Sequence, residues 1–330
     1  MAADETFRFI IAAERATADL EIVDLLHSDV RRLAAAYPTE ATALVGQLLS
    51  AQRAAFRLLD GPGAPDQVRD LYFLAAVTCG LLARAGVDLS QPQTAQIYAR
   101  AAFLCADRAA HPGLRTWIRI EQARVAYWSG SPHEALHYLS AAAGDAASVR
   151  GSMPAHLAVQ EARAYAAIGD ADSARSALVR ASDARDNARS DDLDEIGGEL
   201  TFPVAVQLFV GADALSLLSD HSEAERAAQD AVSAFEAPDA RGASYGSKAG
   251  ARIDLALARA RQGEIEGTRE ALQPVFDIAP ERRNHGMRTL LQRVHGALVA
   301  PGYLGSANAR HVAAEIEACY TPIIQIKLPE

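Results

Sequence analysis

The segment His133-Glu134-Ala135-Leu136-His137 has the H-E-x-x-H spacing of a zinc hydrolase helix. In such a helix two imidazoles one turn apart hold the metal while the glutamate activates a water, and Glu161 would be a further ligand. The same letters also spell an ordinary helix start. Ser131 is placed to cap, Pro132 takes the first helical position and Glu134 closes a capping box. Ala135 then falls on the packed side. His133 and His137 lie roughly 200° round the helix from it, facing solvent, which is a poor place for a catalytic metal. The solvated reading is preferred, so neither a metal nor a cofactor is expected. The glycines of Gly242-Ala-Ser-Tyr-Gly246-Ser-Lys248-Ala-Gly250 do not keep the spacing of a phosphate-binding loop, and no strand precedes them. They read as a loop entering a helix whose N-terminus can attract an anion. Phe202-Pro203 reads as a helix start with proline in the first turn. Cys79, Cys105 and Cys319 are too dispersed for a disulfide framework or a zinc cluster and read as packing residues. His27, His111, His221, His285, His295 and His311 lack matched carboxylates.

Any site must be positioned by helices. Apolar residues recur at three- and four-residue spacing between short Gly, Pro, Ser and Asp breaks. The pattern predicts helices near 5–36, 40–59, 67–85, 92–109, 114–129, 132–143, 154–168, 171–186, 204–218, 221–236, 248–262, 265–278, 284–299 and 307–320. Period-two alternation is confined to Ile323–Leu328, too short to found a sheet. The clearest breaks are Gly61-Pro62-Gly63-Ala64-Pro65 and the polar stretch Asp186–Gly198, and Asp220-His-Ser-Glu223 is a second capping signal.

With 330 residues, half of them apolar, the chain can bury a large core and is not a disordered one. No apolar run approaches the ~20 residues of a membrane span, and the N-terminus lacks the pattern of a signal peptide, so a cytoplasmic protein is expected. The net charge of −10 argues against direct nucleic-acid binding.

The strongest signal is a repeat. Small residues recur in three columns, the second 12 after the first and the third 7 after the second. The sets are Ala83, Ala95, Ala102; Ala123, Ala135, Ala142; Ala162, Ala174, Ala181; Ala212, Ala224, Ala231; and Ala256, Thr268, Val275. Ser90, Gly130, Gly169, Ser219 and Gly263 each stand five residues before the middle column. Physically this is a helix–turn–helix unit whose helices cross closely at small side chains and whose first helix stops at a Gly or Ser. One such pair cannot bury its apolar stripe alone, so neighbours stack.

The pattern resembles the tetratricopeptide repeat, although the middle column advances by 40, 39, 50 and 44 residues instead of the family's 34. Asp192-Leu-Asp-Glu-Ile-Gly-Gly-Glu-Leu-Thr-Phe-Pro203, Ser244–Arg259 and Glu270-Ala-Leu-Gln-Pro-Val-Phe276 resemble the sensor region of actinobacterial XRE-type helix-turn-helix transcriptional regulators. The start departs from that family. No five-helix DNA-reading domain fits before residue 60, and Glu5–Leu33 reads as the sensor region's first helix.

The resemblance implies an all-α, tetratricopeptide-like right-handed superhelix of six or seven antiparallel helix pairs. Residues 1–60 are expected as an N-terminal helical cap, 61–305 as the array and 306–330 as a C-terminal capping helix and tail. It further implies that the residue after each first-column alanine faces a concave groove. That places Arg84, Arg124, Arg163 and Asp213 in the groove beside Ile120, Val159, Phe209 and Tyr127, with Trp117 and His156 extending it. Arginines on successive repeats suit an acidic peptide, a carboxylate or a small anionic ligand. The expected function is a non-enzymatic regulatory module binding a peptide or small anionic signalling ligand, with protein partners in transcriptional regulation or a homodimer. The alternative is a constitutive protein scaffold; zinc hydrolysis and direct DNA binding rank below both.

Overall fold

The computed structural model describes residues 2–61, 63–240, 244–303, 305–319 and 328, with side chains from Ile22 onward, Asp239 excepted. Secondary structure among them is helical throughout: α1 (Ala2–Leu59), α2 (Pro65–Asp88), α3 (Pro92–Arg108), α4 (Pro112–Trp128), α5 (Pro132–Ala146), α6 (Met153–Ala167), α7 (Ala171–Asp186), α8 (Asp192–Ile196), α9 (Val204–Ser216), α10 (His221–Glu236), α11 (Tyr245–Gln262), α12 (Ile265–Phe276), α13 (His285–Leu298) and α14 (Ala307–Ala318). The alternating Ile323–Leu328 segment lies outside the described residues apart from Leu328.

Successive helices pair as hairpins: α2 with α3, α4 with α5, α6 with α7, α9 with α10, α11 with α12 and α13 with α14. The first helices also pack on one another in the order α2, α4, α6, α9, α11, α13. The small-residue columns explain the close fit, for all fifteen positions are buried. At the first hairpin a Cβ on Gly86 would lie 2.9 Å from that of Ala95, and one on Gly80 would strike the Trp117 ring at 2.4 Å. The turn column works as predicted at four places. Ser90, Gly130, Gly169 and Gly263 all take positive φ, the left-handed conformation that ends a helix and reverses the chain.

The ends of this row of helices meet. Asn284 donates to Asp88 at 3.2 Å, Ser90 Oγ lies 3.2 Å from His285 Nδ1, and Arg288 donates to Ser90 at 3.2 Å. On the other side α1 lies against α2 and α8 and against the Gly198–Leu200 turn. The predicted break near residue 38 is a kink inside one helix. Pro38 cannot donate to the Ala34 carbonyl, and Glu40 leaves helical geometry with φ −127°. Gly198 packs against that same carbonyl with φ +58°. A Cβ there would fall 1.9 Å from the Ala34 oxygen, so only glycine closes this contact.

Three expectations are corrected. Ser131 makes no capping hydrogen bond, and Glu134 accepts from Tyr138 Oη at 3.3 Å instead of closing a capping box; Asp220 does cap, through Glu223 N at 2.9 Å. Pro203 precedes α9 in extended geometry as its N-cap rather than sitting in the first turn. The third concerns membrane spans. Among the described residues α2 alone is long and apolar enough to cross a bilayer, and 83% of that stretch is buried against other helices.

Candidate functional site

The first helices turn one face to the interior of the ring of hairpins, and in α2, α4 and α6 the residue after the packed alanine lies on that face. Arg84, Arg124 and Arg163, carried by α2, α4 and α6, therefore line a single central cavity of about 370 Å³. Asp88 and Trp128, one turn beyond Arg84 and Arg124, share the wall with Val87 and with His156 and Gln160 of α6. Val206, Phe209 and Val210 of α9, with Met287 and Leu290 of α13, supply an apolar side. Tyr37 and Pro38 at the α1 kink, Thr201-Phe202-Pro203 and the Ser244–Ser247 start of α11 close the rest.

The charges are unevenly paired. Arg84 forms ion pairs with Glu121 and, at 2.8 Å, with Glu199. Burial opposes its charge, but the two carboxylates outweigh that and raise its pKa further. Arg163 stands 3.7 Å from Asp213, with its guanidinium 4.3 Å from the Tyr127 ring centre and 5.3 Å from that of Trp128. Asp213 is also held by Arg293 at 2.7 Å, which donates to Tyr127 Oη at 3.0 Å. Arg124 has no hydrogen bond or ion pair among the described residues. Burial and the like charge of Arg84 lower its pKa, only partly offset by Glu121 and Asp88.

Asp88 accepts one hydrogen bond, from Asn284, and burial raises its pKa against the pull of Arg124 and Arg84. His156 stacks on Phe202, with ring centres 4.0 Å apart, and its Nε2 lies 3.2 Å from the Gln160 amide. Burial, reinforced by the positive charge of Arg84, Arg124 and Arg163, holds its pKa well below the usual histidine value, so the ring is neutral at pH 7. Tyr37 Oη, Arg124 Nε, His156 Nδ1 and Arg163 Nε are all buried without a protein partner. Trp117 Nε1, Glu121 Oε2, Asp213 Oδ2 and both Asp254 oxygens, on residues that do not line the cavity, are buried without a hydrogen-bond partner as well.

Of the ten residues expected in the groove, five line the cavity: Arg84, Arg124, Arg163, His156 and Phe209. The others stand behind it. Trp117, Ile120 and Val159 are core residues, with Trp117 pressed against Gly80. Tyr127 and Asp213 sit beneath Arg163 as its ring and counter-charge. Their displacement is a matter of depth. Helix spacing gives the inward direction but not which inward side chains are covered by the next hairpin. Sequence reasoning missed Tyr37, the Thr201–Pro203 segment and Asn284, which no helical spacing connects to the arginines. Asp88 and Trp128 were legible, four residues after Arg84 and Arg124.

His133 and His137 are exposed on α5, and no group of three His, Cys, Asp or Glu residues able to hold a metal occurs among the described residues. Gly242 lies outside the described residues, but Ser244, whose hydroxyl accepts from Ser247 N at 3.4 Å, brings the α11 N-terminus to the cavity edge.

The fold and site together define an all-α chain of stacked hairpins around an arginine-lined chamber. No protein-family model matches the chain, and no curated protein is detectably similar to it.

Proposed function

We propose that this protein is a tetratricopeptide-like regulatory module, not an enzyme, that binds a small anionic ligand in its central cavity and passes the bound state to a protein partner in transcriptional control. The observation that carries the reading is the convergence of Arg84, Arg124 and Arg163 on one cavity, with Arg124 in no ion pair among the described residues. A volume of about 370 Å³ lies within the range of small-molecule sites, which favours a small ligand over a peptide. Among the described lining residues no hydroxyl or thiol is hydrogen-bonded to a histidine or carboxylate, which favours binding over nucleophilic catalysis.

Ligand and regulation are linked through the cavity's composite wall. It is built from α1, from five or more hairpins and from the Thr201–Pro203 segment, so a ligand touching several of them stabilises the arrangement in which they meet. It shifts the equilibrium only by its differential affinity for that arrangement. A thermal-shift screen of small metabolites against acidic peptides tests this, since a ligand at 100 times its Kd adds about 2.7 kcal/mol. Small molecules that raise the melting temperature of the wild type, but not of Arg124→Gln, are the expected result. Stabilisation by peptides alone would instead favour a constitutive scaffold.

A further inference from the structure

We infer that the cavity's ligand is a compact zwitterion, its carboxylate on Arg124 and its protonated amine on Asp88; this deepens, and rests on, the small-ligand reading above. The charges around the cavity are unevenly matched. Arg84, Arg163 and Arg293 stand against Glu121, Glu199 and Asp213, three guanidiniums facing three carboxylates in direct contact or within 4 Å. Of the charged side chains that line the cavity, Arg124 and Asp88 are the two outside those pairs; Asp254, also buried without a partner, stands behind the wall near Asp213. Arg124 and Asp88 make no ion pair with each other, although each feels the other's charge: Arg124 is carried by α4 and Asp88 is the last residue of the packed α2.

A plain anion would satisfy Arg124 while standing against Asp88 and Glu199. A plain amine would satisfy Asp88 while standing against Arg124. A molecule carrying both charges answers both, and its body would meet Trp128, Phe209 and Leu290. Low local dielectric makes each unmatched charge costly, and this gives the site its selectivity.

The test uses matched probes: leucine, methionine, phenylalanine and tryptophan, each with its decarboxylated amine and its deaminated acid. Melting temperature and intrinsic tryptophan fluorescence, Trp128 being in the wall, report binding to the full chain. At least one amino acid is expected to bind more tightly than its amine and its acid. Its Kd should rise about tenfold or more in Asp88→Asn and in Arg124→Gln, the scale of a hydrogen bond between charged groups. Arg124→Lys should keep most of the affinity, and Asp88→Asn should bind the matched acid at least as well as the wild type. Circular dichroism confirms that each variant is folded. If an acid binds the wild type as tightly as its amino acid and Asp88→Asn changes nothing, the zwitterion is overturned while the small-ligand site stands. If no member of the panel binds, the zwitterion is overturned, while the small-ligand reading stands or falls with the metabolite screen.

Discussion

Replacing Gly198 by alanine should open the contact that joins α1 to the cavity. The residue has φ +58°, where a side chain costs about 1 kcal/mol or more. The added Cβ would also lie 1.9 Å from the Ala34 carbonyl oxygen and 2.5 Å from its carbon, distances that no rotamer change can relieve because both atoms are backbone. The two segments must separate by more than 1 Å, roughly the gap to ordinary contact. That loosens the Arg31–Glu195 hydrogen bond (3.3 Å) and the packing of α1 on the Gly198–Leu200 turn. The total loss is about 2–4 kcal/mol, within the range of strain and packing defects at a special backbone position. For a chain of this size, with an unfolding entropy of about 2.1 cal/mol/K per residue, that corresponds to a fall in melting temperature of about 3–6 °C. Thermal unfolding followed by circular dichroism measures it, and amide exchange over residues 31–38 and 195–203 localises it. Gly144→Ala is the control. It lies inside α5 with no atom within 4 Å of the new Cβ, so it should be neutral or stabilising by up to about 1 kcal/mol. A Gly198→Ala protein melting within about 1 °C of the wild type would refute the closure of α1 on this turn.

Glu121→Gln leaves the buried Arg84 with only Glu199, and a loss of about 2–4 kcal/mol is expected in denaturant titration. Asp254 is buried with both oxygens unpaired, and burial together with Asp213 raises its pKa well above the usual value. A raised acid stabilises the fold only while protonated, so stability is lost as pH climbs above about 4, the unfolded carboxylate value. Asp254→Asn should accordingly melt higher than the wild type at pH 7, with the difference closing toward pH 4. For His156 the sign reverses. The neutral ring must take up a proton on unfolding, so stability falls as pH drops below about 6.5, and His156→Phe, which keeps the ring stack on Phe202, should weaken that fall. His133→Ala with His137→Ala should leave the melting temperature unchanged to within about 0.5 kcal/mol of stability, and purified wild type should carry no stoichiometric zinc; bound zinc would revive the hydrolase reading.

Ala83, Ala95 and their counterparts were legible because close helix crossing tolerates almost nothing larger, and Ser90, Gly130, Gly169 and Gly263 because a tight reversal needs a left-handed residue. The inward direction of Arg84, Arg124 and Arg163 followed from the same register. Trp117, Ile120 and Val159 share that direction yet ended in the core, since the next hairpin covers them. The capping signal at Ser131 failed because residue type gives only the capacity to cap, and here Glu134 is engaged by Tyr138.

By itself, then, the chain of letters determined the local and repeating features: helix, turn, crossing point and the face that carries the arginines. These depend on neighbours within about one or two turns along the chain. Only the tertiary structure decided that the inner faces of the first helices share one central cavity. It brings Tyr37, Phe202 and Asn284 to the arginines across separations of tens to hundreds of residues. It also selects which cation stays unpaired, because Arg84 and Arg163 meet carboxylates from distant helices and Arg124 does not. Charge pairing across a fold is set by three-dimensional distance, and no periodicity in the sequence encodes it.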